Sequence, residues 1–510
     1  MKIQIRDEVT FIIQALEKAG FEAFLVGGAV RDLILAQQNK LDPDEAVKDY
    51  DFATNATPDE IQQLFPESFY ENEFGTVAIT HQELLKQMGV PSAESILPKP
   101  HHPPKDRIID LVQATKIHKS LGISKKIEQE KIKTVWLSDF EITTYRSGEV
   151  YADFRRPDPT KLVWGKTINE DLKRRDFTIN AMALKFIKKD EYELIDPFKG
   201  LDDLNQHFIK TVGDPTQRFK EDALRMLRAV RFAVQLNMQI SDQTFEAIIN
   251  HGQLITKISW ERISDEFLKI LASQYPAEGI KLLDESGLLQ FVLPEILQGK
   301  AVSQGGHHTT DVWTHSLDSI KECPNPDPIV RLATLLHDVA KPQTFEIRND
   351  KITFYNHEII GSRMADTIAK RFKLPNAQRK QLFTLVRYHM FYYQPHHTDA
   401  AIRRFMRKVG LENIDEILDL READRLGSGA RKTSWRLEEM KQRMVEQLNQ
   451  PMEVTDLDIN GYDLMKEFAL KSGPWIGEVL NKLLEKVLDE PELNKKDELM
   501  TLAKELIKQN

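Results

Sequence analysis

The chain has 510 residues, enough for several domains, and 41% of them are hydrophobic, enough to bury real cores. With 29% charged residues, a net formal charge of −9 and a mean hydropathy of −0.44, it is excluded as a generally basic nucleic-acid binder, so any RNA contact must come from local basic patches. One cysteine, Cys323, excludes an internal disulfide and fits a reducing cytoplasm; Met1–Thr10 has no signal-peptide apolar core, and no apolar run reaches the length of a membrane span.

Taken in order, Ile3 to Ala19 has helical periodicity and stops at Gly20. Phe24-Leu25-Val26-Gly27-Gly28-Ala29-Val30-Arg31-Asp32 reads as an apolar strand, a glycine pair and a helix from about Arg31. Such a glycine turn lets backbone approach a ligand, and the helix N-terminus offers free N–H groups to a phosphate. In Lys48-Asp49-Tyr50-Asp51-Phe52, alternation puts Asp49 and Asp51 on one side of an extended segment. Two convergent carboxylates beside a phosphate cradle suit Mg2+, which takes hard oxygen ligands. Thr57-Pro58-Asp59-Glu60 opens a helix, and Phe74 to Ile79 reads as a strand.

The connection 82–133 is polar, rich in Lys and Pro, and long for a compact domain. Two readings of it stand: a tolerated surface excursion, or an arm that touches RNA. The sheet resumes at Phe140–Arg146, where Glu141 is either a solvated strand acid or a third carboxylate beside the aspartates. A loop of charge and glycine runs from Ser147 to Pro157. In Lys173-Arg174-Arg175-Asp176-Phe177-Thr178-Ile179-Asn180, the Arg175 guanidinium suits triphosphate oxygens, and Asp176 and Asn180 suit ribose hydroxyls. Asp196–Leu204 is a strand-to-helix turn. In Glu221-Asp222-Ala223-Leu224-Arg225, helical spacing places Asp222 and Arg225 one turn apart, where they form either a surface ion pair or a rigid donor–acceptor face for a base edge. Glu261, Arg262 and Glu266 follow Trp260 and read as scaffold.

From Thr216 onward almost every segment reads as helix. His307, His308, Asp311, His315, His337, Asp338, His357, His389 and Asp424 recur through that region. Buried histidines are more often satisfied core residues than ligands, but imidazole with carboxylate also suits a transition metal.

The glycine turn, the Asp49/Asp51 pair and the three later runs, in this order, resemble the class II tRNA nucleotidyltransferases, the CCA-adding enzymes, and the bacterial poly(A) polymerases that share their core. The resemblance implies an α+β chain: a small mixed α/β nucleotidyltransferase head (1–160, with 82–133 as an insertion), a nucleotide-selecting neck and helical body (161–290), a helical HD domain (291–430) and a helical tRNA-binding tail (431–510). It implies that Asp49 and Asp51 hold Mg2+, with Glu141 assisting; that Gly27, Gly28, Arg31, Arg175, Asp176 and Asn180 bind nucleotide; and that Asp222 and Arg225, with Arg228 and Arg231 in the same pocket, select C and A without a nucleic-acid template. The Ser147–Pro157 loop is similar to one that helps the switch from C to A. His315, His337, Asp338 and Asp424 match the metal ligands of an HD domain, with His357 and His389 at places for a second metal. The implied reaction adds C, C and A from CTP and ATP to the tRNA 3′ end. A poly(A) polymerase, a CC-only or A-only enzyme, and an HD phosphohydrolase with an inert head remain as alternatives.

Overall fold

The computed structural model describes residues 3, 5–47, 49–72, 75–89, 140–148, 163–305, 310–469 and 471–508. They fall into two compact units, one ending at Pro294 and one beginning at Glu295.

The first unit is built on a seven-stranded sheet. Its strands are β1 (Ala23–Val26), β2 (Tyr50–Thr54), β3 (Phe69–Asn72), β4 (Thr76–Ile79), β5 (Phe140–Thr144), β8 (Ala183–Lys188) and β9 (Glu191–Ile195), in the order β3-β4-β5-β2-β1-β8-β9. A separate pair, β6 (Arg146–Gly148) and β7 (Val163–Trp164), runs antiparallel beside it. Within the seven strands only β2 and β5 pair in parallel. That pairing sets Asp51 opposite Glu141, while on its other side Asp51 faces Val26 of β1. Residues opposite one another across paired strands share a face of the sheet, so both carboxylates project to one side. Leu25, Phe52 and Ile142, one step along their strands, point to the other face and are fully buried. The helices Asp7–Lys18 and Gly28–Asn39 pack against β1, the first contributing Ile12, Ile13 and Leu16 to the core. Burying each such side chain stabilises the fold by about 1.5–3 kcal/mol. Gly20 ends the first helix at φ 90°, and Thr57 caps Pro58–Leu64 in a reciprocal capping box with Glu60.

Beyond the sheet come the helices Pro215–Glu221, Leu224–Leu236, Asp242–His251, Trp260–Leu271 and Pro276–Glu285. Trp260–Leu271 lies against Leu224–Leu236 and buries Ile263, Phe267 and Ile270. From Thr216 onward, where almost every segment reads as helix, two short strand pairings occur: Gln239–Ile240 pairs in parallel with the earlier Phe208–Ile209, and Glu346–Arg348 forms a hairpin with Lys351–Thr353 in the second unit.

The second unit is otherwise helical. Val312–Lys321, Pro328–Leu336, His357–Arg371, Asn376–Tyr388 and Ile414–Gly427 pack on one another. Trp435–Gln447, capped by Ser434, follows, and the closing helices Pro474–Asp489 and Lys496–Lys508 share a core of Leu464, Leu483, Leu484 and Leu499.

Candidate active site and candidate metal centre

A cavity of about 710 Å³ opens on the first unit, and every residue assigned to catalysis or nucleotide binding from the sequence lines it. Gly27, at φ 75° and ψ −136°, turns the chain from β1 into the helix that starts at Gly28, two to three residues earlier than expected. A side chain at Gly27 is doubly opposed. L-residues rarely adopt this backbone, and a Cβ there would lie 2.7 Å from Arg175 Nη1. The gap left by the missing side chain is where the Arg175 guanidinium lies. Asp51 Oδ2 is 3.5 Å from the same point, so the turn, the arginine and the strand acid converge. Asp49, exposed just before β2, and Glu141 on β5 line the same cavity.

The arginines are held in a chain of ion pairs. Asp171, buried on the short helix Ile168–Lys173, accepts from Arg174 Nη2 at 2.5 Å and from Arg175 Nη2 at 3.1 Å, and its Oδ1 also accepts the Arg146 backbone N–H at 3.3 Å. Burial pushes its carboxyl up, but Arg174 and Arg175 outweigh that and bring it down to about 2. The role expected of Asp176 and Asn180, bonding ribose hydroxyls, meets a different arrangement here: both engage protein. Asp176 Oδ2 accepts from Arg228 Nη2 at 2.6 Å, Asn180 Oδ1 accepts from Arg31 Nη1 at 2.7 Å, and Asn180 Nδ2 donates to Asp176 Oδ1 at 3.3 Å. Burial would raise the Asp176 carboxyl, yet the charges of Arg228 and Arg225 hold it at about 2. Glu266 Oε2 accepts from Arg231 Nε at 2.6 Å and its other oxygen lies 3.7 Å from Arg228. Arg231 also lies over the Phe232 ring, 4.1 Å from its centroid.

Asp222 and Arg225 both line the cavity, but not on one continuous helix as spacing suggested. Asp222 closes Pro215–Glu221 in an extended conformation, φ −145° and ψ 106°, and the next helix begins at Leu224. The Asp222 side chain caps that second helix, its Oδ1 accepting the Leu224 N–H at 3.1 Å, and its Oδ2 accepts from Arg262 Nη2 at 2.6 Å. Arg225 donates through Nη1 to Glu221 Oε2 at 2.6 Å and through Nη2 to the Arg174 carbonyl at 3.1 Å. The turn at Asp196 is structural. Its carboxylate accepts the Gly200 and Leu201 N–H groups at 2.7 and 2.9 Å.

Residues 90–133 of the expected insertion, residues 149–157 of the expected loop, and His307 and His308 lie outside the described residues. Asp311 is a helix cap, accepting the Thr314 and Ala301 N–H groups, each at 2.8 Å.

In the second unit, two ligand-like triads sit together: His315, His337 and Asp424, and Asp338, His357 and His389. His337, His357 and His389 each place Nδ1 at 2.7–2.8 Å from the backbone carbonyl three residues earlier. A carbonyl only accepts, so Nδ1 carries the proton and Nε2 keeps its lone pair. Those Nε2 atoms converge: His337 Nε2 lies 3.1 Å from His315 Nε2 and 3.1 Å from Asp338 Oδ2, and His357 Nε2 lies 3.3 Å from His389 Nε2 and 3.4 Å from Asp338 Oδ1. Asp338 thus spans both triads with its two oxygens, and His315 Nε2 lies 3.2 Å from Asp424 Oδ1. Burial holds His389 down at about 3, so its ring stays neutral at ordinary pH. Inward lone pairs from these three imidazoles, together with His315 Nε2 and the two carboxylates, form a donor set that fits transition-metal ions. Two residues the sequence reading passed over complete the surroundings. Lys341 Nζ reaches Asp338 Oδ2 at 2.6 Å and Gln304 Oε1 at 2.5 Å, and its spacing from Asp338 was the available signal.

Comparison with known proteins identifies the family. A family model described as "Poly A polymerase head domain" matches residues 23–93 and 106–210. One described as "Probable RNA and SrmB- binding site of polymerase A" matches 237–299, and one described as "tRNA nucleotidyltransferase domain 2" matches 353–503. A CCA-adding enzyme of Geobacillus sp. (strain WCH70) is 30% identical over 472 residues, covering 92% of this chain and 89% of that one. An A-adding tRNA nucleotidyltransferase of Deinococcus radiodurans is 34% identical over 355 residues, 66% of this chain and 78% of that one. The crystal structure of the Bacillus stearothermophilus CCA-adding enzyme in complex with CTP shares the fold, with a TM-score of 0.63 at 23% identity over 99% of both chains. The chain belongs to the family of CCA-adding and poly(A) polymerase-type nucleotidyltransferases.

Proposed function

We propose that this protein is a CCA-adding tRNA nucleotidyltransferase, adding C, C and A from CTP and ATP to the tRNA 3′ end without a nucleic-acid template. The observation that carries this is the single cavity that brings the acids Asp49, Asp51 and Glu141 together with Asp222 and Arg225. Family membership and the CCA-adding relatives support it further.

In each step the primer 3′ oxygen bonds the α-phosphorus, the bond from that phosphorus to the bridging oxygen breaks, and pyrophosphate leaves. Asp49 and Asp51, with Glu141 beside them, would hold Mg2+; when bound, it lowers the pKa of the primer hydroxyl and neutralises triphosphate charge. Arg31 and Arg175 present guanidinium forks to the triphosphate at the Gly27–Gly28 turn, where the helix N-terminus adds its own N–H groups. Asp222 supplies acceptors and Arg225 donors to the base edge, and Arg228 and Arg231 line the same pocket. The proposed domain order is a head, expected over 1–160 but with its sheet running on to Ile195 in β9, then the neck and helical body to 290, the HD domain over 291–430 and the tRNA-binding tail over 431–510. No helix among the described residues is long and apolar enough to cross a membrane. With tRNA, CTP and ATP as its proposed substrates, we place the enzyme in the cytoplasm.

Product sequencing tests this reading. A tRNA ending before CCA, incubated with CTP and ATP, should gain CCA and stop. Extension of many primers with ATP alone would instead mark a poly(A) polymerase, and a product of CC alone or A alone a specialised enzyme.

One observation favours a second activity. The inward-facing Nε2 atoms and the shared Asp338 carboxylate support a divalent transition-metal centre at His315, His337, Asp338 and Asp424, extended by His357 and His389. A metal there would activate water for phosphoester hydrolysis. Release of phosphate from model phosphodiesters by the purified protein, lost on chelation, is the check.

A further inference from the structure

Arg262 lies on Trp260–Leu271, in a segment whose sequence reads as scaffold. Its Nη2 donates to Asp222 Oδ2 at 2.6 Å, while the carboxylate's other oxygen accepts the Leu224 N–H at 3.1 Å. Asp222 is therefore held from two directions, by a side chain of another helix and by the backbone that follows it. It needs such a hold because it occupies the extended break between two helices, where no helical turn fixes its side chain. The pair is sheltered, with side-chain exposures of 21% for Arg262 and 13% for Asp222, so water screens it only weakly. Arg262 also leaves its Nε buried without a hydrogen-bond partner. Natural structures seldom tolerate that, and here it accompanies one directed contact, at a cavity wall that both residues line.

We infer that Arg262 is a positioning residue for base selection: it fixes the rotation of the Asp222 carboxylate. The inference rests on the assignment of Asp222 and Arg225 as the base-selecting pair. Cytosine and adenine carry an amino group where uracil and guanine carry a carbonyl oxygen. A carboxylate held in one orientation accepts from the amino group and repels the carbonyl oxygen. Without Arg262 the carboxylate rotates about its side-chain torsions and relieves that repulsion. Discrimination against UTP then falls more than CTP addition does.

The experiment compares kcat/KM for CTP and UTP on a tRNA primer ending before CCA, in wild type, R262Q, D222A and the double variant. R262Q should lower the CTP-to-UTP ratio roughly tenfold or more, the size expected from losing a bond to a charged group. In the D222A background the R262Q change should have little further effect on the ratio, since the group it positions is gone. A merely structural role for Arg262 would lower both rates together and leave the ratio unchanged. Wild-type selectivity in R262Q, with selectivity lost in D222A, overturns the inference alone. Wild-type selectivity in D222A overturns the base-selecting assignment beneath it. If R262Q does not fold, R262K takes its place: its point charge replaces the planar fork, so a drop of about threefold is expected, and an unchanged ratio overturns the inference.

Discussion

Arg175 lies across Gly27, its Nη1 2.7 Å from where a β-carbon on that glycine would stand. Gly27→Ala therefore meets two costs: a backbone at φ 75° that L-residues avoid, about 1–3 kcal/mol, and displacement of a guanidinium proposed to hold triphosphate. The expected result is a large rise in KM for nucleotide with a fall in kcat. Gly28→Ala puts its Cβ at an ordinary 3.5 Å from Arg31 Nη2 within a helix, so its stability in urea should stay close to wild type while that of Gly27→Ala drops.

Asp171 anchors Arg174 and Arg175 from beneath. Asp171 and Asp176, each at about 2 in the fold against 3.8 as a free side chain, contribute stability that is present above pH 3.8 and is lost as pH falls toward 2. Linkage puts this at roughly 2 kcal/mol for each group. Melting temperatures across pH 2–5 should fall steeply for wild type and less steeply for Asp171→Asn, which begins lower. An equal slope in the variant would show that this carboxylate does not carry the effect. At neutral pH, Asp171→Asn should raise the KM for both CTP and ATP, because Arg175 loses its tether.

The acid pair separates the two proposed activities. Asp49→Ala with Asp51→Ala should reduce nucleotide addition at least about a thousandfold, since a metal contributes several kcal/mol to such transfer. The variant should keep any phosphodiesterase activity of the second unit, whose His/Asp cluster is built from other residues. Undiminished CCA synthesis in this variant would reject the assignment of these acids.

Much of the first site was readable because its signals are local. The Gly27–Gly28 turn and the Asp49/Asp51 alternation each fit within a few residues, and strand geometry then carries Asp51 to Glu141. The break at Asp222 was not readable. Glu221-Asp222-Ala223 holds no glycine or proline, helical spacing runs straight through it, and the Asp222 carboxylate there is held in part by Arg262, 40 residues away. Asp171 reads as an ordinary i,i+3 and i,i+4 partner of Arg174 and Arg175, and only the fold buries it. The hairpin 346–353 did carry a signal that was passed over: Asn349 and Asp350, both at positive φ, are residues suited to a two-residue turn. The recurrence of histidines was visible in the sequence, but the inward direction of their Nε2 atoms depends on carbonyl bonds that only the folded helices supply.

Metal content checks the second unit. Purified protein should carry a divalent transition metal, and His337→Ala should lower its affinity roughly tenfold or more, since this residue touches both His315 and Asp338. Chelation should lower the melting temperature of wild type and change that of the variant less, because a metal that binds only the folded state stabilises it.

The central claim is that Asp222 and Arg225 read the incoming base while the Gly27 turn and Arg175 receive its triphosphate. A crystal structure of the protein with CTP tests it most directly. The account predicts the cytosine edge within hydrogen-bond distance of both Asp222 and Arg225, with the phosphates against Arg31 and Arg175. A cytosine bound elsewhere, with those side chains still engaged with Arg262 and Glu221, would contradict it.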